Sequence, residues 1–270
     1  MRGNSLELRI GCTGWSYEGW IGTFYPKNME QTSFLKHYSS VFDITEINST
    51  FYRIPSQAMT RKWHQDTPEN FVFTAKLPKL ITHDGRLKPR PYLDQFLQSI
   101  QPLGSKMAIL VIQLPPSLSF SEAEPHLEKM VNHLPKNYRY AIEGRHKTWF
   151  TDDANQFLSK RNLCLVWNEV EGVENPAPIT SDFVYLRLIG DRSISEKEFG
   201  KIIKDRADMI KKWTDKLDKI KNKVSFAVAM VNNHFEGFAP VTANKLRMQL
   251  GLEQMNWLDT KQKTLFDFKK

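Results

Sequence analysis

Short apolar runs rich in β-branched and aromatic residues recur along the whole chain. Such runs are typical of strands that are buried on both faces, as in a parallel sheet. Segments with helical spacing or helix-favouring composition separate most of these runs and are long enough for crossover helices. The runs lie at residues 8–15, 44–52, 71–78, 107–116, 138–146, 163–170, 183–190 and 224–233, and the helical segments at 32–42, 91–100, 122–134, 152–161 and 211–223. The exception is the segment between the sixth and seventh runs, residues 171–182. It is short and contains prolines, so we do not expect a full helix there.

Eight strands that alternate with helices, without a linker-like tract, predict an α/β fold: a TIM-type (β/α)8 barrel in a single domain. We place this barrel at residues 1–252 and a C-terminal tail at 253–270. A doubly wound open sheet is the alternative. That fold normally carries a glycine-rich phosphate loop after its first strand, and GCTGWSYEGW (11–20) matches neither the dinucleotide fingerprint nor the P-loop.

The composition narrows the class of protein. Of the 270 residues, 40% are hydrophobic and 25% are charged, which excludes disorder for the bulk of the chain. No stretch approaches the ~20 apolar residues of a membrane span, and the N-terminus lacks the apolar core of a signal peptide. We therefore expect a cytoplasmic protein without a membrane partner. Cys12 and Cys164 lie far apart inside apolar runs, which predicts buried reduced thiols and no redox chemistry.

Positive charge is concentrated in the last quarter of the chain. The formal net charge is +8, and residues 201–270 hold 15 basic and 8 acidic side chains. Much of the excess lies at 211–223, in a segment whose pattern predicts an amphipathic helix. A solvated helix face is favoured there over a nucleic-acid-binding patch. The apolar positions of this pattern are Ile203, Ile210, Trp213, Leu217 and Ile220.

Polar side chains close almost every apolar run. The carboxyl ends of barrel strands carry the functional groups in this fold, and alternation along each strand lets these side chains share the mouth. The set comprises Glu46, Asn48, Lys76, Gln113, Glu143, Arg145, Asn168, Arg187 and Asn232. An internally satisfied polar plug is the alternative interpretation. Three cations and two carboxylates argue against a plug, because one charge would remain unpaired and burying an unpaired charge costs several kcal/mol.

These residues suggest binding of an anionic ligand such as a phosphate. Lys76, Arg145 and Arg187 would converge on one mouth, and a guanidinium fork matches two phosphate oxygens. Glu143 is the natural general base or acid, and Glu46 and Lys76 complete the predicted catalytic set. Burial would raise the pKa of Glu143 and the cations would lower it, so the sequence leaves its role open.

Histidines and aromatic residues also follow the strands. His83, His146 and His234 could form a divalent-metal site with Glu46 or Glu143. No HExxH or His-x-His motif is present, so a multi-metal cluster is poorly supplied. The aromatic residues could stack on bases or sugar rings, or simply pack the loops. They are Trp15, Tyr17, Phe51, Tyr52 and Trp149, of which Trp15, Tyr17 and Trp149 are retained as substrate-binding candidates with His146.

The strand ends resemble those of the domain of unknown function 72, or YecE-like, family. The matching segments, in order, are IGCTGWSYEGWIGTFYP, EINSTFYRIP, FTAKLPKLITH, IQLPPS, EGRHKTW and VNNHFEGFAP, and they span residues 8 to about 250. The resemblance implies a TIM-like barrel similar to the endonuclease IV and sugar-isomerase type, without a settled reaction. Asn168 stands where the family commonly has an acidic residue, and Ile189 where a histidine is usual. Both departures weaken a metal-hydrolase interpretation.

The final segment, TKQKTLFDFKK, looks like a sliding-clamp (PCNA) interacting peptide of the form Gln-x-x-Leu-x-x-Phe. Gln262, Leu265 and Phe268 fill that pattern, and spacing by three places Leu265 and Phe268 on one side of a helical turn. Lys269 stands where a full motif has a second aromatic residue. The alternative is a tail whose apolar residues pack back on the barrel. A clamp peptide implies an archaeal or eukaryotic host, and we expect an archaeal one.

Together these features favour a protein recruited to DNA, as a repair or processing enzyme that acts on a phosphodiester or damaged nucleotide. A metabolic lyase, isomerase or phosphatase for a small phosphorylated metabolite is the second hypothesis. A non-catalytic clamp-associated adaptor is the third. Steeply salt-dependent DNA binding would favour the first, and tight binding of a small phosphate without DNA affinity would favour the second.

Overall fold

A computed structural model describes residues 6–87, 90–169 and 174–257 of the chain. The eight predicted runs all form strands, which run parallel in the order β6-β5-β4-β3-β2-β1-β9-β8-β7. The strands are β1 Glu7–Thr13, β2 Ile44–Ile47, β3 Val72–Lys76, β4 Met107–Gln113, β5 Arg139–Glu143, β6 Cys164–Leu165, β7 Trp167–Asn168, β8 Phe183–Leu188 and β9 Phe226–Val231. The helices are α1 Phe34–Val41, α2 Ser49–Tyr52, α3 Gln57–Gln65, α4 Arg90–Ile100, α5 Phe120–Val131, α6 Asp152–Ser159, α7 Ala207–Asp218, α8 Asn233–Glu236 and α9 Ala239–Gln249.

The two edges of the sheet meet at a single residue, and this closes the barrel. β6 pairs with β5, and β7 pairs with β8. Only Val166 separates β6 from β7, and its amide donates to the Ile142 carbonyl at 2.9 Å. The sixth predicted run therefore acts as one strand that changes partner midway. The predicted TIM-type barrel is confirmed, and residues 174–182 form no helix, as expected for the short sixth connection.

Side chains alternate between two separate apolar cores. One core fills the barrel interior and includes Ile44, Val111, Ala141, Tyr185 and Val228. The other lies between the outer face of the strands and the helices. Because both faces of each strand are covered, the runs are nearly continuously apolar and carry few polar side chains until they end.

Close approach of β1 to β2 explains one glycine. A Cβ on Gly11 would lie 2.2 Å from the Ile44 carbonyl oxygen, well inside van der Waals contact. Position 11, which lies on the same face of β1 as Arg9 and Thr13, therefore accommodates only glycine. Both cysteines are buried and free, as predicted, and burial raises the pKa of the Cys164 thiol to about 12.

The basic helix α7 has the amphipathic form that its spacing predicts. Ile210, Trp213 and Leu217 are buried against the barrel. Ile203 was expected on the same stripe, but α7 begins four residues later and Ile203 is 43% exposed. Exposed lysines of the helix and the turn after it pair with acidic side chains: Lys211 with Asp215, Lys212 with Glu169 and Lys221 with Asp218. The geometry is that of a solvated helix face.

The chain packs on the barrel beyond the boundary predicted at residue 252. Asn244 exchanges hydrogen bonds of 2.8 Å with the backbone of Met255 in both directions. Trp257 donates to the Thr23 carbonyl at 3.0 Å and packs against the Phe24 ring at 5.4 Å. The tail peptide residues Gln262, Leu265 and Phe268 lie outside the described residues. Among the helices that are described, none combines the length and the apolar character required to cross a bilayer.

Candidate functional site

A buried arginine at the carboxyl end of β8 joins two carboxylates from opposite parts of the barrel. The Arg187 Nη2 atom donates to Glu46 Oε1 at 2.6 Å, and its Nη1 atom donates to Glu143 Oε2. All three side chains are at most 1% exposed. Three of the residues that the alternation of side chains places at the mouth are thus brought into contact.

The local sequence explains why these charges face inward. Glu46 lies two residues after Ile44, and Glu143 two residues after Ala141; Ile44 and Ala141 both belong to the interior core. The period of two along a strand sends the charged residue to the same side as its apolar predecessor. The carboxyl ends of β2 and β5 therefore carry ionic groups in place of the apolar side chains that precede them.

Further donors complete the coordination of both carboxylates. The Tyr185 hydroxyl donates to Glu46 Oε2 at 2.8 Å and lies 2.7 Å from Thr74 Oγ1. Arg145 donates through Nε and Nη2 to Glu143 Oε1 at 3.0 and 2.8 Å. All four carboxylate oxygens therefore have a donor. Sequence reasoning missed Tyr185 and Thr74, although each lies two residues before a predicted site residue and so shares its face.

Glu143 is a carboxylate at neutral pH. Burial alone would raise the pKa of Glu143, but Arg187, Arg145 and Lys76 together outweigh it and lower that pKa to about 2. Burial acts in the opposite direction on the pKa of Arg187, and the two carboxylates overcome it and raise that pKa. Of the two roles that the sequence left open, a carboxylate in this environment suits that of a base or of a partner for a cation better than that of a general acid.

Lys76 is the least satisfied of the three cations. Its Nζ atom lies 4.0 Å from Glu46 Oε1 and 5.8 Å from the centre of the Phe51 ring. Within the part of the chain that the structure describes, it makes no hydrogen bond. Burial first, and then Arg187, lower the pKa of Lys76 to about 8 against the opposing effect of Glu46. The side chain is 13% exposed, so the amine lies at the boundary between the barrel interior and the mouth.

Three buried polar atoms near this network lack a hydrogen-bond partner among the described residues. They are Asn48 Oδ1, Gln113 Oε1 and Arg187 Nε. Gln113 pairs in register with Glu143 and therefore faces the same interior. Most buried polar atoms in proteins are satisfied, and groups left unpaired often mark a place for water or a ligand.

The remaining polar candidates are held by local hydrogen bonds at the same end of the barrel. Asn232 donates to Thr13 Oγ1 at 2.7 Å and caps α8 through the His234 amide at 2.9 Å. Asn168 is buried, and its Oδ1 accepts from Asn175 at 3.2 Å. These contacts bring Asn168 and Asn232 to the rim but outside the ionic network.

The structure does not bring the three candidate histidines together. His83 lies on the turn Leu80–Asp84 and packs edge-on against Phe51 at 5.0 Å. His146 contacts Thr148 Oγ1 at 2.9 Å, and His234 contacts the Ile194 carbonyl at 2.9 Å. Among the residues described, no three His, Cys, Asp or Glu side chains are placed to hold a metal ion. The three-histidine metal site expected as an alternative is therefore not formed.

His83 lies near Lys76 at the mouth, although it does not join a metal site. Burial, followed by the charge of Arg145, lowers the pKa of its imidazole, which favours the neutral ring at pH 7. Phe51 lies between His83 and Lys76, in contact with both. The motif ITH after β3 is the sequence signal for this position.

The aromatic candidates have separate environments. Trp149 is fully buried beneath Gly144 and donates to the Leu118 carbonyl at 3.0 Å, so its ring is not open to a ligand. Trp15 is half-buried and meets the Trp63 ring edge-on at 5.6 Å. Tyr17 donates to the Thr13 carbonyl at 2.5 Å. Stacking on Trp149 is therefore excluded in this conformation, and both Trp15 and Tyr17 pack against the core outside the strands.

A wide depression of about 1400 Å³ lies at the opposite end of the barrel. Two of its cations serve the fold: Arg139 packs over the Phe226 ring at 4.9 Å, and Arg9 donates to the Asn70 carbonyl at 2.7 Å. The ionic network and the three unpartnered atoms all lie at the carboxyl ends of the strands. We therefore place the candidate site at that end, where barrels carry their functional groups.

The model of the family described as "Protein of unknown function DUF72" matches residues 9–265. The chain belongs to the DUF72 family. The UPF0759 protein YecE of Escherichia coli is 28% identical over 157 residues, which cover 58% of this chain and 55% of that protein. The matched segment thus spans about half the length of this curated relative.

Solved DUF72 structures share the barrel. A DUF72 family protein from Thermotoga maritima has a TM-score of 0.76 and 26% identity, with 90% of this chain and 99% of that one covered. Another from Enterococcus faecalis has a TM-score of 0.75 and 20% identity, covering 92% and 96%. These relatives are bacterial, which does not support the archaeal host expected from the tail. The family description assigns no reaction, so the function has to be argued from the site.

Proposed function

We propose that the barrel mouth of this DUF72 protein binds a small phosphate-bearing molecule, with Arg145 and Lys76 as the cations that meet the phosphate. The observation that carries this proposal is a surplus of positive charge on the solvent side of the ionic network. Among the described residues, Arg187, Arg145 and Lys76 form their ion pairs with Glu46 and Glu143, which leaves a formal charge of +1 for this group.

The surplus lies where a ligand can reach it. The side chains of Arg145 and Lys76 are 26% and 13% exposed, whereas Glu46 and Glu143 are at most 1% exposed. Within the described residues Arg145 Nη1 and Lys76 Nζ make no hydrogen bond, so both retain donors for phosphate oxygens. The fully buried Arg187 is committed to the carboxylates and supports the geometry of the site.

Two unpartnered amide oxygens of the protein indicate a second chemical feature of the ligand. Asn48 Oδ1 and Gln113 Oε1 are buried acceptors without a donor among the residues described. A hydroxyl group would satisfy such an acceptor, and leaving it unpaired costs about 1–3 kcal/mol. A hydroxylated, phosphorylated compound such as a sugar phosphate fits both sets of groups. Because the side chains of Lys76 and Arg145 are only 13% and 26% exposed, a small ligand suits them better than the backbone of an intact duplex.

Calorimetric titration of the full chain tests this proposal. We expect a phosphorylated monosaccharide to bind, and the same sugar without phosphate to bind at least tenfold more weakly. Arg145→Met should weaken binding of the phosphorylated sugar by tenfold or more, because a charge-assisted hydrogen bond contributes ~1.5–3 kcal/mol. The exposed Arg61→Met is the matched control and should leave the affinity unchanged. Equal affinity for both sugars, or no effect of Arg145→Met, would refute the proposal.

A second candidate function is recruitment to DNA as a repair or processing enzyme, and the tail sequence favours it. Gln262, Leu265 and Phe268 match the sliding-clamp peptide pattern, although they lie outside the described residues. Anchors of this kind are often worth ~2 kcal/mol or more each. Titration with a sliding clamp should give micromolar binding that Leu265→Ala with Phe268→Ala abolishes. Absence of binding would remove the clamp as a partner and leave the proposal for the mouth intact.

A further inference from the structure

Among the described residues, Lys106 is buried and Lys76 is largely buried, and their environments differ. Lys106 is 2% exposed, and its Nζ atom donates to the His64 carbonyl at 2.7 Å and to the Thr67 carbonyl at 2.8 Å. Lys76 has no comparable acceptor within the described chain, and its closest ionic partner there is Glu46 at 4.0 Å. Lys106 is a structural cation, whereas the geometry of Lys76 leaves its nitrogen free to form a new bond.

The position of Lys76 suits an amine nucleophile. Its nitrogen lies at the end of β3 where the barrel interior opens to the mouth, above the face of Phe51. A desolvated lysine beside other cations is activated because the neutral amine becomes accessible near physiological pH. With a pKa of about 8, about one Lys76 amine in ten is neutral at pH 7, against roughly one in three thousand for an ordinary lysine.

We propose that Lys76 condenses with the carbonyl carbon of an aldehyde or ketone ligand in the mouth and forms a protonated Schiff base. This inference rests on the proposed function in taking the mouth as the ligand site, and it adds a carbonyl group to the chemistry of the ligand. Lys76 meets the phosphate in the initial complex, and Arg145 holds the phosphate once the Schiff base has formed. The substrate class becomes a phosphorylated, hydroxylated carbonyl compound.

The step balances without an oxidant or reductant. The ammonium first releases one proton to solvent, and the nitrogen lone pair then forms the C–N bond as the carbonyl π bond breaks. One N–H proton and one proton returned from solvent convert the carbonyl oxygen to water. Water leaves as the C=N bond forms, and the nitrogen keeps one proton and a positive charge.

The surroundings of Lys76 suit the nitrogen both as a free amine and as a protonated Schiff base. The Glu46 carboxylate, held by Arg187 and Tyr185, lies 4.0 Å away and faces the iminium charge. The small exposed fraction of the side chain limits the access of bulk water, which would hydrolyse the Schiff base. The ring of Phe51 provides an apolar wall with a negative face toward the cation.

Reductive trapping tests the inference on the full chain. Protein is incubated with glyceraldehyde, which carries no phosphate, and sodium cyanoborohydride, whose hydride converts the C=N bond to a stable secondary amine. Peptide mass mapping then compares Lys76 with the exposed Lys62 and the buried Lys106. We expect Lys76 to be labelled at least tenfold faster than Lys62 at pH 7, and Lys106 to remain unlabelled. The label should disappear from that peptide in Lys76→Met, whereas Lys62→Met should leave labelling of Lys76 unchanged.

The pH dependence separates a reactive amine from an accidentally accessible one. With cyanoborohydride in excess, so that condensation limits the rate, Lys76 labelling should rise as pH increases through about 8 and then level off, while that of Lys62 should keep rising toward pH 10. Labelling of Lys76 no faster than Lys62 at pH 7, or without the plateau, would overturn the inference. Because the aldehyde lacks phosphate, this result is independent of the sugar-phosphate titration. Phosphate binding without labelling would leave the proposed function standing, and labelling without phosphate binding would refute that function alone.

Discussion

Replacing Arg187 by methionine tests whether the ionic network is held by charge or by packing. Methionine is also long and unbranched, so Arg187→Met removes the charge and both donors while filling much of the space. Glu46 and Glu143 then stay buried with fewer compensating charges. Breaking a buried ion pair in this way typically costs 3–5 kcal/mol.

The structure gives an independent estimate of the magnitude. Burial raises the pKa of Glu143, yet Arg187, Arg145 and Lys76 lower it from its usual 4.5 to about 2, and Arg187 has the largest lowering effect. At about 1.4 kcal/mol for each tenfold change in proton affinity, the net effect of burial and the three cations corresponds to roughly 3 kcal/mol, and Arg187 supplies the largest favourable part of it. We therefore expect Arg187→Met to lower the free energy of unfolding by about 3–5 kcal/mol at pH 7.

The loss should depend on pH in a definite direction. In the wild type, the stabilisation by Glu143 is complete above the pKa of the unfolded chain and is lost as pH falls through about 2. In Arg187→Met, burial is less opposed, so the pKa of Glu143 rises and the folded state takes up a proton before the unfolded chain does. The difference in stability between variant and wild type should therefore shrink from pH 7 to pH 5.

Guanidinium denaturation followed by circular dichroism measures these differences. The exposed Arg61→Met is the matched control and should change stability by less than about 0.5 kcal/mol. Adding Glu143→Gln to Arg187→Met removes one uncompensated charge and should recover at least ~1 kcal/mol at pH 7. If Arg187→Met costs no more than the control, or if its cost is equal at pH 5 and pH 7, then charge pairing does not hold the network.

Four further outcomes follow from the same geometry. Sugar-phosphate affinity should fall as pH rises through about 8 in calorimetric titration, because the Lys76 ammonium is lost there. Tyr185→Phe leaves one oxygen of Glu46 unpaired and should cost about 1–3 kcal/mol in guanidinium denaturation. Gly11→Ala places a methyl group against the neighbouring strand and should cost roughly 1–3 kcal/mol by the same assay. Trp257→Ala should cost about 3–5 kcal/mol in thermal unfolding, and a negligible loss would show that residues after 252 do not support the barrel.

The strands and the inward direction of the mouth residues could be predicted because both depend on local periodicity. An apolar run buried on both faces marks each strand, and a period of two places Glu46, Lys76 and Glu143 on the interior side. Local periodicity does not show which of these charged side chains form ion pairs with each other. Arg187 meets Glu46 across 141 positions of sequence, and that contact depends on how the barrel closes.

The sequence was least informative for aromatic residues and for loops. Trp149 follows a strand like a ligand-stacking residue, but its indole fills the space beneath Gly144, which hydrophobicity alone does not distinguish from a binding surface. The three histidines follow strands at different distances, so their loops carry them to separate neighbours. Tyr185 and Thr74 face the interior before their strands end, where polar groups are rare. Each lies two residues before Arg187 or Lys76 and so shares its face, which is the one sequence signal for their role.

The most direct test of the central claim is a crystal structure of the full chain with a phosphorylated monosaccharide at a saturating concentration. We expect the phosphate within hydrogen-bond distance of Arg145 Nη1 and Lys76 Nζ, and sugar hydroxyls on Asn48 and Gln113. A phosphate bound instead in the depression at the other end of the barrel, or an empty mouth at saturation, would contradict the account.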